Sequence, residues 1–205
     1  MDGGGVTHRT ARAQLVRMRV DLANQIRGVL KPFGLIAGKG GGQPFIARVR
    51  AIGERIAALG RRLVAMARRD EAVRRLMTAP GVGTLVALTY VSVVDDPERF
   101  ARSSSVGAYV GLTPRRHQSG EEDHTGHISR CGDKLLRTYL FEAAGIILHR
   151  VSRWSTLKAW GTRLARRIGT KKATVAVARK LSVILHRMLR DGSEFRWSAK
   201  EAQAA

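Results

Sequence analysis

Leu112-Thr113-Pro114-Arg115-Arg116-His117-Gln118-Ser119-Gly120, continuing to Gly126-His127-Ile128-Ser129-Arg130-Cys131-Gly132, is a polar, glycine-punctuated stretch between segments that read as helices. It sets a serine beside a glycine amid dense arginine and histidine. A phosphate-attacking serine needs a mobile hydroxyl, cations for the phosphate, and a loop held on a rigid frame. A phosphate-binding loop without chemistry has the same composition, so the rest of the chain must inform the choice.

On the C-terminal side, Asp133 stands where an N-cap belongs, ahead of a helix with apolar positions Leu136, Tyr139, Leu140, Ala143 and Ile147. Gly161 and Gly169 punctuate a basic helical region. A last helix is expected over Lys171–Arg190, with Ala178, Leu181, Leu185 and Met188 as its apolar stripe and Arg179, Lys180 and Arg187 outside it. The tail from Ser198 reads as frayed.

On the N-terminal side, Ser103-Ser104-Ser105 precedes Val106-Gly107-Ala108-Tyr109-Val110, which makes Ser105 an expected N-cap. Asp95-Asp96-Pro97-Glu98-Arg99-Phe100 reads as a turn into a short helix. Ala79-Pro80-Gly81-Val82-Gly83 stops a long helix and opens the apolar segment Thr84–Val94, in the manner of a helix-hairpin-helix element over 79–94. Gly81 and Gly83 there are either phosphate contacts, with helix N–H groups facing the anion, or members of a plain tight turn.

Residues 45–78 read as one continuous helix, because Val49, Ile52, Ile56, Leu59, Leu63 and Met66 recur at alternating steps of three and four. Residues 7–34 read as another, with Leu15, Met18, Leu22, Ile26 and Val29 on one stripe and Pro32 and Gly34 ending it. Gly38-Lys39-Gly40-Gly41-Gly42-Gln43-Pro44 joins the two as a turn. It is not a phosphate-cradling loop, since no strand precedes it and no Lys-Ser/Thr pair closes it.

The expected fold is mainly α. A long, coiled-coil-like two-helix arm occupies residues 7–78, and a compact helical domain with an irregular or hairpin-like polar loop occupies 79–197. The arm's stripe serves either intramolecular packing or a seam with a second copy of the chain.

The 205 residues carry 37 Lys and Arg against 16 Asp and Glu, a formal net charge of +21. Such an imbalance points to a polyanion, with nucleic acid first. Between Ala143 and Arg190 there is no acidic residue at all. A single cysteine, Cys131, leaves no internal disulfide and fits a reducing cytoplasm. No apolar run reaches the roughly 20 residues that span a bilayer, and Met1–Gly5 shows no signal-peptide pattern. The expectation is a soluble cytoplasmic protein without membrane association. His117, His124 and His127 lie close together but lack a fourth donor, so no metal site is expected. Glu121-Glu122-Asp123 is a contiguous run rather than the converging set that a two-metal nuclease requires.

Two serines compete as the reactive group. Ser119 has Arg115, Arg116 and His117 before it and His124, His127 and Arg130 across the loop. Arginine does not serve as a base at neutral pH, but it holds a phosphate and stabilises developing charge. Ser129, just ahead of a helix, suits a capping or turn role, or a phosphate contact. The residues alone leave both open, and they do not name the general base.

The ordered set Thr78-Ala79-Pro80-Gly81-Val82-Gly83, Asp96-Pro97-Glu98-Arg99-Phe100, Tyr109-Val110-Gly111-Leu112-Thr113-Pro114-Arg115, Ser119-Gly120, Gly126–Gly132 and Leu135-Leu136-Arg137 resembles the C-terminal transposase domain of the insertion-sequence-110 family, also labelled IS116/IS110/IS902. Asp21–Leu35 resembles the helical linker before that domain, so the resemblance covers about residues 10–195. It implies a DNA transposase or recombinase that joins covalently to DNA through a serine, guided by a structured RNA. The family's Pro-Arg-Arg-x-x-Ser-Gly context maps onto Pro114, Arg115, Arg116, Ser119 and Gly120, which favours Ser119 over Ser129.

Arg115, Arg116 and Arg130, with Gly81 and Gly83, are then expected at DNA phosphates, and His117, Ser129 and Arg137 in support. The family also carries a RuvC-like domain with four acidic residues that bind magnesium, and this sequence does not contain it. The expectation is that the chain binds no cofactor itself. Magnesium enters only with that acidic domain, which a second copy or a partner chain supplies. Alternatively, the chain is a truncated, inactive nucleic-acid-binding remnant or regulator.

Overall fold

The computed structural model describes residues 21, 24, 25, 27–33, 43–119 and 122–198, the side chains of 33, 43–53, 55 and 116–125 excepted. Most of the helix expected over residues 7–34 and most of the glycine-rich turn lie outside the described residues. The chain divides into two compact units, residues 1–60 and 61–205.

In the first unit, residues 27–30 are helical and pass into a 3-10 turn, Lys31–Phe33. Arg27 Nη1 donates to Asn24 Oδ1 at 2.9 Å, one helical turn back. Leu30 is buried, whereas Val29, placed on the apolar stripe by its spacing, is 66% exposed. Helix α1, Gln43–Arg69, begins in this unit and ends in the second. Ile56, Leu59 and Met66 of its heptad stripe are exposed.

The helix expected to run unbroken to residue 78 stops at Arg69. Asp70 adopts an extended conformation, and its side chain accepts from Val73 N at 3.0 Å, starting α2, Glu71–Leu76. An aspartate capping its own new helix needs no glycine or proline to make the break, so the apolar periodicity runs through it unmarked. Thr78 then ties the C-terminal tail back: its hydroxyl donates to Arg75 O at 2.7 Å and accepts from Phe195 N at 2.9 Å.

The second unit is built around two apolar helices. Helix α3, Thr84–Val94, buries Val86, Ala87, Tyr90 and Val94. Helix α7, Thr170–Asp191, buries the expected stripe of Ala178, Leu181, Leu185 and Met188 and ends at Gly192 in the left-handed conformation. Tyr90 OH donates to Ser182 O at 2.5 Å, linking the two helices through the core. Burial pushes this phenol well above its usual range.

Between these helices in sequence come a 3-10 turn at Pro97–Arg99, a second at Ser103–Ser105, and the short helix α4, Val106–Tyr109. Ser105 stands at the start of α4 but makes no side-chain cap bond. The serine that acts is Ser103, which is buried and bonded to His186. Helix α5, Lys134–His149, is capped as expected by Asp133, which accepts from Leu136 N at 2.6 Å, and it buries Leu136, Leu140, Ala143 and Ile147.

Helix α6, Thr156–Ile168, starts at Ser155, whose hydroxyl accepts from Lys158 N at 3.1 Å. Gly169, at φ 84°, separates α6 from α7 as expected. Gly161 punctuates nothing. It lies inside α6, where an added Cβ would come within 2.6 Å of Val177 Cγ2 and 2.9 Å of Leu148 Cδ2. Its missing side chain lets α6 settle on α5 and α7.

The polar stretch forms the one sheet among the described residues. Strands β1, Pro114–Ser119, and β2, Glu122–Ile128, pair antiparallel as a hairpin. The loop read as irregular or hairpin-like is a two-stranded hairpin with one register irregularity, between Pro114 and Arg116.

Candidate active site

The hairpin register sets Ser119 opposite Glu122, Gln118 opposite Asp123, His117 opposite His124 and Arg116 opposite Thr125. Ser119 is the last residue of β1, about 17 Å from Pro114 at a rise of ~3.4 Å per residue. A lone two-stranded ribbon in water is marginal at best. Its persistence depends on how its root is held, and the root is where the sequence has placed its most constrained residues.

Gly111, at φ 71°, passes so close to the returning chain that a Cβ would lie 2.1 Å from Cys131 O and 2.6 Å from Cys131 N. Gly132, at φ 75°, meets Tyr109 in the same way, with a Cβ at 2.0 Å from Tyr109 O. Both positions need glycine twice over, for the left-handed backbone and for the absent side chain. Two further backbone bonds close the root: Arg130 N to Gly111 O at 3.1 Å and Ser129 N to Thr113 O at 2.9 Å.

Arg137, one turn into α5, clamps this crossing from the side. Its Nη1 donates to Cys131 O at 2.9 Å and to Val110 O at 3.2 Å, reaching both arms of the hairpin root. One guanidinium nitrogen thus bridges two carbonyls that stand on different arms of the root. Arg137 is therefore a structural clamp among the residues singled out by sequence.

Ser129 is likewise engaged. Its hydroxyl accepts from Cys131 N at 3.5 Å, and its carbonyl accepts from Arg115 Nη2 at 3.2 Å. Arg115 sits in the register irregularity between Pro114 and Arg116. Bulges of this kind re-aim a side chain, and here the exposed guanidinium turns back toward the root. Arg130 is exposed and holds φ 56°, a rare conformation for a residue with a Cβ. Within the root, the Thr113 hydroxyl is buried with no hydrogen-bond partner.

Gly81 and Gly83, paired by sequence, have different surroundings. Gly81, at φ 74°, lies against α5, where a Cβ would be 2.6 Å from Ala143 O. Gly83 is exposed at the N-cap of α3, has no atom within 4 Å of an added Cβ, and leaves the helix N-terminus without a side-chain cap. Of the two, Gly83 has the open helix end that an anion can approach.

Sequence reading missed three residues that support this region. His186 is fully buried on α7. Its Nδ1 lies 2.9 Å from Ser103 Oγ, and its Nε2 lies 2.9 Å from Pro97 O. The carbonyl can only accept, so Nε2 carries the proton and Nδ1 accepts from the serine. The signal was its place beside Leu185 on the apolar stripe, one turn after Ser182.

Arg99 stacks on Phe100 and Tyr109, with its guanidinium carbon 4.8 and 4.7 Å from the two ring centroids. Arg179 lies along α4, its Cγ within 2.9 Å of the Cβ that Gly107 lacks. Together these contacts fix α4, which leads directly into the root.

Among the described residues, no group of three or more His, Cys, Asp or Glu is arranged to hold a metal ion. Among them, too, no helix is long and apolar enough to cross a membrane.

Residues 73–159 match the model of the Transposase IS116/IS110/IS902 family, a span that includes α3, the hairpin and the Arg137 clamp. The chain is 32% identical to the transposase for insertion sequence element IS1111A of Coxiella burnetii, over 92% of this chain and 59% of the relative. It is 28% identical to the transposase for insertion sequence element IS1328 of Yersinia enterocolitica, over 90% of this chain and 62% of that protein. It is 32% identical to the pilin gene-inverting protein of Moraxella lacunata, over 58% of this chain and 37% of that protein. The chain spans about six-tenths of the length of these two transposases. Residues 73–159 thus form a domain of the IS116/IS110/IS902 transposase family, and transposases resemble the chain over nine-tenths of its length.

Proposed function

We propose that this chain is the serine-bearing part of a DNA transposase or recombinase, and that Ser119 is the nucleophile. In the step envisaged, Ser119 Oγ loses its proton and attacks a phosphodiester phosphorus. The Oγ–phosphorus bond forms as the bond from phosphorus to a deoxyribose oxygen breaks, and that oxygen takes up a proton. The DNA end is held as a phosphodiester of serine until another strand's hydroxyl displaces Ser119 by the reverse route.

The observation that carries this reading is the placement of Ser119 at the far end of a ribbon whose root is fixed by Gly111, Gly132 and Arg137. A fixed root presents a reactive group at a set distance from the helical body. Arg115, Arg116 and Arg130 supply cations for the scissile phosphate, and the uncapped α3 end at Gly83 offers N–H groups to a DNA phosphate.

Glu122 is the register partner of Ser119 on β2. A structured guide RNA, a second copy of the chain and an acidic-domain partner with its magnesium belong to the same reading. No step above runs through a metal held by this chain.

The test is to incubate labelled element-end DNA with the protein, guide RNA and magnesium, with and without an added acidic domain, and then denature. A protein–DNA adduct absent in Ser119→Ala supports the reading. An undiminished adduct in that variant refutes it.

The net charge of +21, together with the partial span of the relatives, favours a second reading in which the chain holds nucleic acid without cutting it. That reading predicts binding that weakens steeply with salt and no adduct under either condition.

A further inference from the structure

We propose that the segment joining α5 to α6, with the first turns of α6, is a second nucleic-acid surface. It takes a single strand by stacking an unpaired base on Trp154. This surface stands on residues outside the hairpin and does not depend on the role of Ser119.

Three observations meet here. From Ala143 to Arg190 the chain carries 12 Lys and Arg and no Asp or Glu. Trp154 is 60% exposed, more than any other large apolar side chain among the described residues of the second unit. All three tryptophans of the chain carry a cation on the ring: Lys158 Nζ lies 5.1 Å from the Trp154 centroid, Arg153 Cζ 4.2 Å from that of Trp197, and Lys180 Nζ 4.3 Å from that of Trp160.

An exposed indole is costly in water and gains when a flat apolar face covers it. The surrounding charge selects what brings that face. An acid-free run of basic residues attracts a polyanion, and a strand of nucleic acid supplies phosphates and π-faces at alternating positions along its length. The strand must be unpaired at the contact. In a duplex the base faces are stacked on one another and only their edges reach the grooves, so an indole has no face to meet.

Lys158 also donates to Val151 O, which holds its ammonium group beside the ring rather than free in solvent. The cation is thus preplaced for the phosphate that flanks a stacked base. RNA and DNA share this chemistry.

The experiment titrates the full chain with fluorescein-labelled 12-nucleotide oligo(U), oligo(dT) and a 12-base-pair duplex, and with vesicles of phosphatidylserine and phosphatidylcholine. Trp154→Ala is expected to weaken single-strand binding roughly tenfold and to leave duplex binding unchanged. Trp154→Phe is expected to recover most of the loss. Lys158→Gln is expected to lower the salt slope on the single strand by about 0.7.

A loss on both oligonucleotides supports the proposal as stated. A loss on one alone supports it and names the strand. Equal losses on duplex and single strand, no loss on either, or a Trp154-dependent affinity for vesicles in place of oligonucleotides would overturn it.

Discussion

Gly111 and Cys131 cross backbone to backbone: a Cβ on Gly111 would lie 2.1 Å from Cys131 O. At φ 71° the position also disfavours any L side chain. Gly111→Ala should therefore cost at least about 3 kcal/mol of unfolding free energy. Gly145→Ala is the contrasting case. It lies inside α5 with nothing within 4 Å of an added Cβ, and it should stabilise by about 0.5–1 kcal/mol. Urea unfolding of both variants checks the pair.

Arg137 holds both arms of the hairpin root through carbonyls, so its loss should be felt in the ribbon first. Arg137→Ala should cost about 2 kcal/mol and raise amide hydrogen exchange across residues 109–132 more than in α3 or α7. Arg137→Lys should recover only part of the protection, since an ammonium on a flexible stem is held less firmly than a planar guanidinium. If exchange in the hairpin stayed unchanged in Arg137→Ala while DNA binding fell, the arginine would be a DNA contact rather than a clamp.

The buried His186–Ser103 bond makes a second pair measurable. Ser103→Ala leaves Nδ1 with no donor and should cost about 1–2 kcal/mol. His186→Ala adds a cavity and should cost about 3 kcal/mol or more. The double variant should cost less than the sum by about 1 kcal/mol, read from a double-mutant cycle. Full additivity would mean that the contact carries no energy.

The folded core raises the pKa of the Tyr90 phenol above its ordinary 10.0 by burial. A raised acid favours the protonated form, so this stabilising contribution is complete below the unfolded pKa and is lost as pH rises through and above about 10. Stability measured from pH 8 to 11 should fall above pH 10. Tyr90→Phe should flatten that fall while costing about 1 kcal/mol at pH 8 through the lost bond to Ser182 O.

The helical plan was legible because burial imposes periodicity. Leu136, Leu140 and Ile147 in α5, and Leu181 and Leu185 in α7, stand on the core face where their spacing places them. Asp133 announced its helix in the same way. The break at Asp70 was hidden because it interrupts hydrogen bonding without interrupting the apolar pattern. Gly161 was misread because a glycine that admits a neighbouring helix and one that ends its own helix look alike in sequence.

The site was legible in composition but not in shape. Pro114–Ile128 offers no alternating apolar residues, so nothing local marks it as a ribbon. What holds it together is remote in sequence: Gly111 against Cys131, Gly132 against Tyr109 and Arg137 against Val110. The bond between His186 and Ser103, 83 residues apart, was hidden for the same reason.

The central claim concerns one oxygen atom, Ser119 Oγ, and can be addressed directly. DNA trapped on the protein can be digested with nuclease and protease, and the peptide that retains a nucleotide can be sequenced by mass spectrometry. The account predicts a phosphodiester-linked nucleotide on Ser119 and no such peptide from Ser119→Ala. A nucleotide attached to Ser129, or to any residue other than 119, would contradict it.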